Sequence, residues 1–424
     1  MLLLVREPEE VTEARRDLGA RLARLRHAKG ISQHRFAPLT HYGRSTVANV
    51  ETGRQKASRD FWQRCDELLS TGGVLVRAFD DLELRARRAA LQTSTRSQPR
   101  SFATPTLPAF PLTDYMTDDD ITIARDRLMD IVSLDNQFGG ADLAAMCLRF
   151  FRSVHQRLGS GAYAPSVEVD LQALLGEIAE VAGWLCYDAD RQDEVRRLNH
   201  EALYFSRLAG DRQMELLVLQ NTSMHAGHLG RSHEALQVAR SVLEGPYQLS
   251  PRLTSLFLIR KARAMAQAGD ASALRLLREA RALYEDGLRD DDPAWTWWVD
   301  ERELSWHEAM ALADLGQRGI AVGRFEQAVV ATPDDQTRSR YLHLGYLFAG
   351  QVAVGAWHEA AGTLSRLHPL SGEVASTRTS SLVRMALQEL ERPTRTGGSR
   401  TEPPDTLLHV AQQVERTLRA VSSI

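Results

Sequence analysis

Apolar residues recur at helical spacing along most of the chain, and no stretch sustains the alternation of a strand. Leu18, Leu22 and Leu25 stand at i, i+4 and i+7, one apolar stripe of a first helix that Gly30 stops. Ile31 turns inward, and Ser32 is an N-cap for a short second helix carrying Gln33, Arg35 and Phe36. After a bend from Thr40 to Gly43 a third helix is predicted. Val47 and Val50 face its core side, while Arg44, Ser45, Thr46 and Asn49 share the other. Gly53 ends it, and Arg54 and Lys56 follow. Phe61, Cys65, Leu68 and Leu69 give a closing helix its apolar face. Val74 to Leu91 reads as one more helix. The Arg85, Arg87 and Arg88 run at its end reads as a solvated terminus, with a phosphate contact as the alternative.

Beyond it the pattern lapses. Residues 92–113 are Ser/Thr-rich, carry Pro99, Pro105, Pro108 and Pro111, and predict a linker. From Asp118 onward the helical period returns in pairs with short turns marked by glycine or aspartate. From Gly230 to Gly269, Gly316 and Gly355 the spacings are 39, 47 and 39. Small residues sit alike in the second helices, as in Ser232-His-Glu-Ala-Leu and Trp357-His-Glu-Ala. One hairpin cannot bury its apolar face alone, so such pairs stack into a solenoid. Residues 392–404, with Gly397, Gly398, Pro403 and Pro404, predict a loop before a lone amphipathic helix from Asp405. Its Leu407, Val410, Val414, Leu418 and Val421 cap the solenoid or join a second chain. The expected organisation is an acidic lead-in (1–14), a small helical domain (15–91), the linker, repeats (114–391), the loop and a final helix (405–424). The fold class is all-α: an N-terminal helix-turn-helix domain plus a C-terminal α-solenoid of tetratricopeptide-like hairpins.

Charge divides the same way. Residues 15–64 hold 12 Lys and Arg against 3 Asp and Glu, a net of +9, in a chain whose total is −3; the remainder carries −12. A basic head presenting Arg, Ser, Thr and Asn from one helix face, joined to an acidic body, is the footprint of a chain that puts one end on DNA. An ordinary helical domain with a solvated basic face is the bland alternative.

The string Leu22-x-x-Leu25-Arg26…Gly30-Ile31-Ser32-Gln33…Arg44-Ser45-Thr46-Val47…Val50-Glu51-x-Gly53-Arg54 resembles the phage-repressor-like, XRE-type helix-turn-helix. Ser58-Arg59-Asp60-Phe61-Trp62…Cys65-Asp66, followed by Gly72-Gly73-Val74-Leu75, looks like the version common in actinobacterial regulators. The resemblance implies DNA contacts from Gln33, Arg44, Ser45 and Asn49, and phosphate contacts from Arg54 and Lys56; Arg35 and Thr46, polar residues of the same two helices, complete the candidate DNA-binding set. It also implies a structural salt bridge from Arg26 to Glu51. Two departures stand out. Pro38 falls where helix two should still be running, which predicts a shortened helix. Thr40-His41-Tyr42-Gly43 replaces the usual turn and lacks an N-cap hydroxyl for helix three. Residues 120–390 resemble the divergent tetratricopeptide-like sensor domains of bacterial pheromone-responsive regulators, on architecture alone.

Catalytic and cofactor signatures are missing from the sequence: no GxxxxGK[ST], no GxGxxG after a strand, no HExxH, no GxSxG. His225, His228 and His233 lack a carboxylate or thiol at a fitting interval, so no metal is expected. The expectation is a non-enzyme without a cofactor. Cys65, Cys147 and Cys186, odd in number and without CxxC spacing, suggest reduced thiols and a cytoplasmic home. No apolar run approaches the roughly 18 residues of a membrane span, and the opening Met-Leu-Leu-Leu-Val does not read as a signal peptide. Trp295 to Trp306 reads chiefly as core, with an aromatic ligand groove as the second reading. If the first helix of each hairpin lines a concave face, candidate ligand contacts are Asn221, Arg260, Arg263, Trp298, Arg302 and Tyr341. Asn221 leads because the resemblance implies an Asn there holding peptide backbone. The expected function is a homodimeric, sequence-specific regulator of an operator, sensing a small molecule or short peptide. The alternative is a DNA-tethered scaffold whose repeats recruit a protein partner.

Overall fold

The computed structural model describes residues 9–40, 44–53, 57, 59–82, 115–285, 287, 292–333, 336–391 and 402–422. These residues form helices and, among them, no strand; the one isolated β-bridge joins Met116 to Tyr163.

The first unit is α1 (Glu9–Ala28), α2 (Gln33–Thr40), α3 (Arg44–Glu51), α4 (Arg59–Leu69) and α5, helical over 74–82. Leu18 and Leu22 of α1, Phe36 of α2, Val47 and Val50 of α3, and Phe61, Trp62 and Cys65 of α4 share one core. α1 begins at Glu9, inside the stretch read as a lead-in, because acidic residues at a helix N-terminus complement its dipole. α1 also approaches α3 closely. A Cβ on Gly19 would stand 2.1 Å from the carbonyl oxygen of Val50, so only glycine fits there. The shortened second helix expected from Pro38 is not what forms. α2 runs through Pro38 to Thr40. The helix forgoes one backbone donor there and is held by the burial of Phe36, Ala37 and Thr40, whose hydroxyl donates to the Ala37 carbonyl at 2.8 Å. The expected turn at 41–43, the Arg85–Arg88 helix end and the 92–113 linker lie outside the described residues.

The second unit is a helical array: α6 (Asp118–Phe138), α7 (Ala141–Ser160), α8 (Glu168–Asp188), α9 (Gln192–Leu208), α10 (Arg212–His228), α11 (Ser232–Leu243), α12 (Pro251–Gln267), α13 (Ala273–Glu285), α14 (Glu301–Asp314), α15 (Arg318–Ala331), α16 (Thr337–Val354), α17 (Trp357–Leu367), α18 (Leu370–Glu373), α19 (Thr377–Glu391) and α20 (Asp405–Ser422). Antiparallel pairs α8/α9, α10/α11, α12/α13, α14/α15 and α16/α17 stack side by side. Gly230, Gly269, Gly316 and Gly355 close first helices with φ between 69° and 79°, a left-handed turn that L side chains resist. α20 packs on α17, α18 and α19 and buries Leu407, Val414 and Leu418.

The array does not stay open. α16 reaches α6, and α19 reaches α8. The Ala375 amide donates to the Phe138 carbonyl at 2.7 Å, and the Ala141 amide to the Ala375 carbonyl at 3.1 Å. At this closure Asp188, 1% exposed, accepts from Arg338 Nε at 3.3 Å, Arg378 Nη2 at 3.3 Å and Ser376 Oγ at 2.9 Å. The Arg338 guanidinium lies over Trp184 and that of Arg378 over Tyr187, at 4.8 and 4.4 Å from the ring centres. Burial alone would raise the Asp188 carboxyl, but the two arginines hold it below the ordinary range.

Candidate functional site

The candidate interface with nucleic acid is built on α2 and α3. Their mutual placement is fixed by a buried polar lock beneath them. Arg26, 2% exposed, donates through Nε to Glu51 Oε1 at 2.5 Å and through Nη2 to Oε2 at 2.8 Å. Its Nη1 donates to the Ile31 carbonyl at 2.6 Å, so one guanidinium joins the end of α3 to the turn before α2. Gln33 Nε2 completes the lock at 2.6 Å from Glu51 Oε2. The amide of Gln33 is therefore engaged inside the domain, and the side chain is half-buried.

Below the lock, Asp66 does what no pattern in the sequence announced. This carboxylate, 5% exposed, accepts from the Leu75 and Val76 amides at 2.9 and 2.8 Å. It caps α5 from α4, where the first amides of a helix lack intrahelical partners.

On the outer side, Arg35 and Arg44 are exposed and free to reach phosphates or base edges. Ser45 stands on α3, with its side chain outside the described residues. Arg54 and Lys56 also lie outside them. Thr46 and Asn49 differ: they are 1% and 6% exposed, and α3 packs on α13 of the array, whose Tyr284 lies by Thr46. Exposed Arg21 and Arg24 add positive charge on α1 of the same module.

The residues read as ligand contacts are placed mostly between helices rather than along an open groove. Asn221, 8% exposed, donates through Nδ2 to Glu180 Oε1 at 2.8 Å and accepts from Gln220 Nε2 at 2.5 Å. Arg260, 3% exposed, donates through Nη2 to Gln220 Oε1 at 2.9 Å and to Glu303 Oε1 at 3.1 Å, and its Nη1 touches His307. One buried polar chain thus runs from Glu180 to His307 across α8, α10, α12 and α14. Burial and Arg260 push the His307 imidazole down to about 4. Glu303 is held at about 2 because His307 and Arg260 outweigh its burial.

Arg263 pairs with Asp314 at 2.5 Å and, with Arg260, lines a cavity walled by Tyr187, His228, Trp306 and Tyr346. Its volume is about 40 Å³, room for little more than a water molecule, so a larger ligand requires the helices to part. Two buried ring nitrogens on its wall, Trp306 Nε1 and His307 Nδ1, have no hydrogen-bond partner among the described residues. Trp298 lies apart, stacked on Trp295 at 6.1 Å in the 3-10 turn Ala294–Trp298. Arg302 bonds Gln336 and faces Asp300 at 3.3 Å. Tyr341 is fully buried, with its hydroxyl 3.2 Å from Ser380 Oγ. The structure therefore brings Arg260 and Arg263 to one cavity, links Asn221 to Arg260 through Gln220, and leaves Trp298, Arg302 and Tyr341 at separate places. Trp306 belongs to the stretch whose second reading was an aromatic groove, whereas the sequence did not single out His307 or Tyr346 as cavity residues. Among the described residues there is no group of three or more His, Cys, Asp or Glu side chains that could hold a metal, and no helix long and apolar enough to cross a membrane.

No curated protein and no solved structure matches the chain. A family of helix-turn-helix domains does match, over residues 17–79, the segment that holds the α1–α4 core, the Arg26–Glu51 lock and most of α5. The N-terminal module is thus similar to a helix-turn-helix domain, which supports a DNA-binding regulator.

Proposed function

We propose that the chain is a sequence-specific transcriptional regulator of the XRE type, with an actinobacterial-style reader at residues 15–91 and a tetratricopeptide-like sensor at 114–391. The single observation behind this reading is the reader itself: α3 seated on the Arg26–Glu51 lock within a stretch, residues 15–64, of net charge +9. Gln33, Arg35, Arg44, Ser45, Thr46 and Asn49 would meet bases and nearby phosphates, and Arg54 and Lys56 the backbone. Two copies are expected to act together, because one such module covers only a half-site and two-fold pairing doubles its contacts. The sensor would take a small molecule or short peptide into the interior of the array, where Arg260 and Arg263 face the aromatic cavity. Asn221, Trp298, Arg302 and Tyr341 complete the candidate set and would act by shifting the helices around it. A ligand with different affinity for two arrangements of the array biases the reader.

Selection of bound DNA from a random pool by the full-length chain tests the reading. A two-fold symmetric consensus occupied by two chains is expected. Arg44→Ala and Asn49→Ala should each weaken binding to that consensus at least tenfold, with helical content unchanged by circular dichroism. Undiminished affinity in both variants would remove α3 as the reading element.

A further inference from the structure

The reading helix is covered. α3 packs against α13 of the array, and Thr46 and Asn49, which lie off the Val47/Val50 core stripe, are 1% and 6% exposed. Residues off the apolar stripe of a surface helix ordinarily face water, so their burial needs a second surface. That surface includes Tyr284, in the last turn of α13 and 1% exposed. The Tyr284 and Thr46 hydroxyls meet across the contact. They do so without a hydrogen bond of ordinary geometry, and neither has another partner among the described residues.

We propose that this contact is an autoinhibited form of the reader, in which α13 occupies the face of α3 that would enter a DNA groove, so that DNA and the repeat array compete for one surface. The inference rests on the DNA-binding reading above. A groove receives the recognition helix by its outward residues, and a helix docked by Thr46 and Asn49 cannot be inserted at the same time. Apparent DNA affinity then falls by the fraction of chains held closed. Residues 15–64, of net charge +9, also meet an array whose residues 114–424 carry −10, which favours docking and makes it weaken with salt. Two buried hydroxyls without good hydrogen bonds work against the contact, so it is poised for release rather than permanent.

The docking point is also tied to the array's interior. The Arg252 guanidinium lies 5.2 Å from the centre of the Tyr284 ring and donates to the Val299 carbonyl at 2.5 Å. Arg281, one turn before Tyr284, bonds Glu301 and Glu308 of α14 at 2.8 Å each. α14 also carries Trp306 and His307 of the cavity wall. Displacement of α14 by an occupant of that cavity would pull on the segment that presents Tyr284.

The full chain provides the test, with Tyr284→Leu as the release variant, because it withdraws the ring tip and keeps an apolar side chain in the core. DNA affinity is measured on the site selected by the full-length protein. In parallel, Asn49→Cys and Arg44→Cys are labelled separately with a maleimide against native cysteines that are all buried. Autoinhibition predicts at least fivefold tighter DNA binding by Tyr284→Leu. It also predicts labelling at Asn49→Cys at least tenfold slower than at exposed Arg44→Cys, a gap that Tyr284→Leu narrows. Equal labelling at the two positions, or a Tyr284→Leu affinity equal to wild type, would overturn the proposal. Slow Asn49→Cys labelling relieved by Tyr284→Leu, with no DNA bound by either protein, would keep the docking and overturn the DNA reading instead. Should Tyr284→Leu fail to fold, the ratio of the two labelling rates in the otherwise wild-type chain decides alone.

Discussion

The reader and the repeat array solve the problem of burial in opposite ways. The reader has an apolar core of Leu22, Phe36, Val47, Phe61 and Cys65, and among its described residues the buried charges are the Arg26–Glu51 pair and Asp66, which caps α5. The array pairs charge between its helices repeatedly: buried Asp188 with Arg338 and Arg378, half-buried Glu303 with buried Arg260, and half-buried Arg281 with Glu301 and Glu308. Buried pairs add little net stability over apolar residues of the same size, whereas breaking one strands a charge. A helical array with ionic joints therefore has a few well-defined ways to fit together, each sensitive to one proton or one missing partner.

The sharpest way to break this contrast is at the closure of the array. Asp188→Ala leaves Arg338 and Arg378 buried without their shared carboxylate, and a loss of about 3–5 kcal/mol is expected in the unfolding of the array. Thermal unfolding followed by circular dichroism should show the array transition move down while the reader's stays in place. A single transition moving as a whole would mean that the two units unfold together. Glu51→Ala should cost the reader about 3 kcal/mol for the same reason. The pair Arg26→Met with Glu51→Leu should recover much of that, since no charge is then left alone; if the double variant is worse than the single, the lock adds net stability.

Acid comes next. His225, His307 and His343 are buried, and burial holds them well below an ordinary imidazole, at about 4, 4 and 3. They are neutral in the fold, so the stability they lend is full above pH 6.5 and drains as pH falls toward 4, where the unfolded chain takes up protons first. Each is worth about 1–3 kcal/mol over that window. Urea midpoints measured at pH 7.5, 6 and 5 should fall in that order, and a flat profile would contradict the assigned burial. The smallest effect belongs to the exposed pair Arg59 and Asp80, 2.9 Å apart on the reader's surface. Arg59→Ala should change the reader's midpoint by less than about 1 kcal/mol.

Much of the reader was legible because its physics is local. The stripe Leu18, Leu22, Leu25, the stop at Gly30 and the Val47/Val50 face each lie within one or two turns, where spacing alone fixes which side chains share a face. The use of Gly19 escaped notice, since its lack of a Cβ matters only once α3 arrives against it. Pro38 misled for a related reason: local propensity opposes helix there, while burial of Phe36, Ala37 and Thr40 around it prevails. In the array, period and turn glycines gave the hairpins. The interior was harder to read, because Asn221, Arg260 and Glu303 are polar residues of a kind that usually faces solvent.

By itself the sequence determined an all-helical chain, a basic reader on an acidic body, and helical hairpins that must stack. Those follow from periodicity, charge and turn chemistry, which are properties of neighbours along the chain. Only the tertiary structure decided that α16 and α19 return to α6 and α8, that Arg260 and Arg263 share a cavity, and that Tyr284 covers the reading helix at Thr46. Each of these depends on residues far apart in the chain: the closure and the Tyr284 contact directly, and the cavity through Tyr187, Trp306 and Tyr346, which gather around Arg260 and Arg263. Their pairing is set by shape and by the demand that every buried charge find a partner, and neither can be computed from spacing.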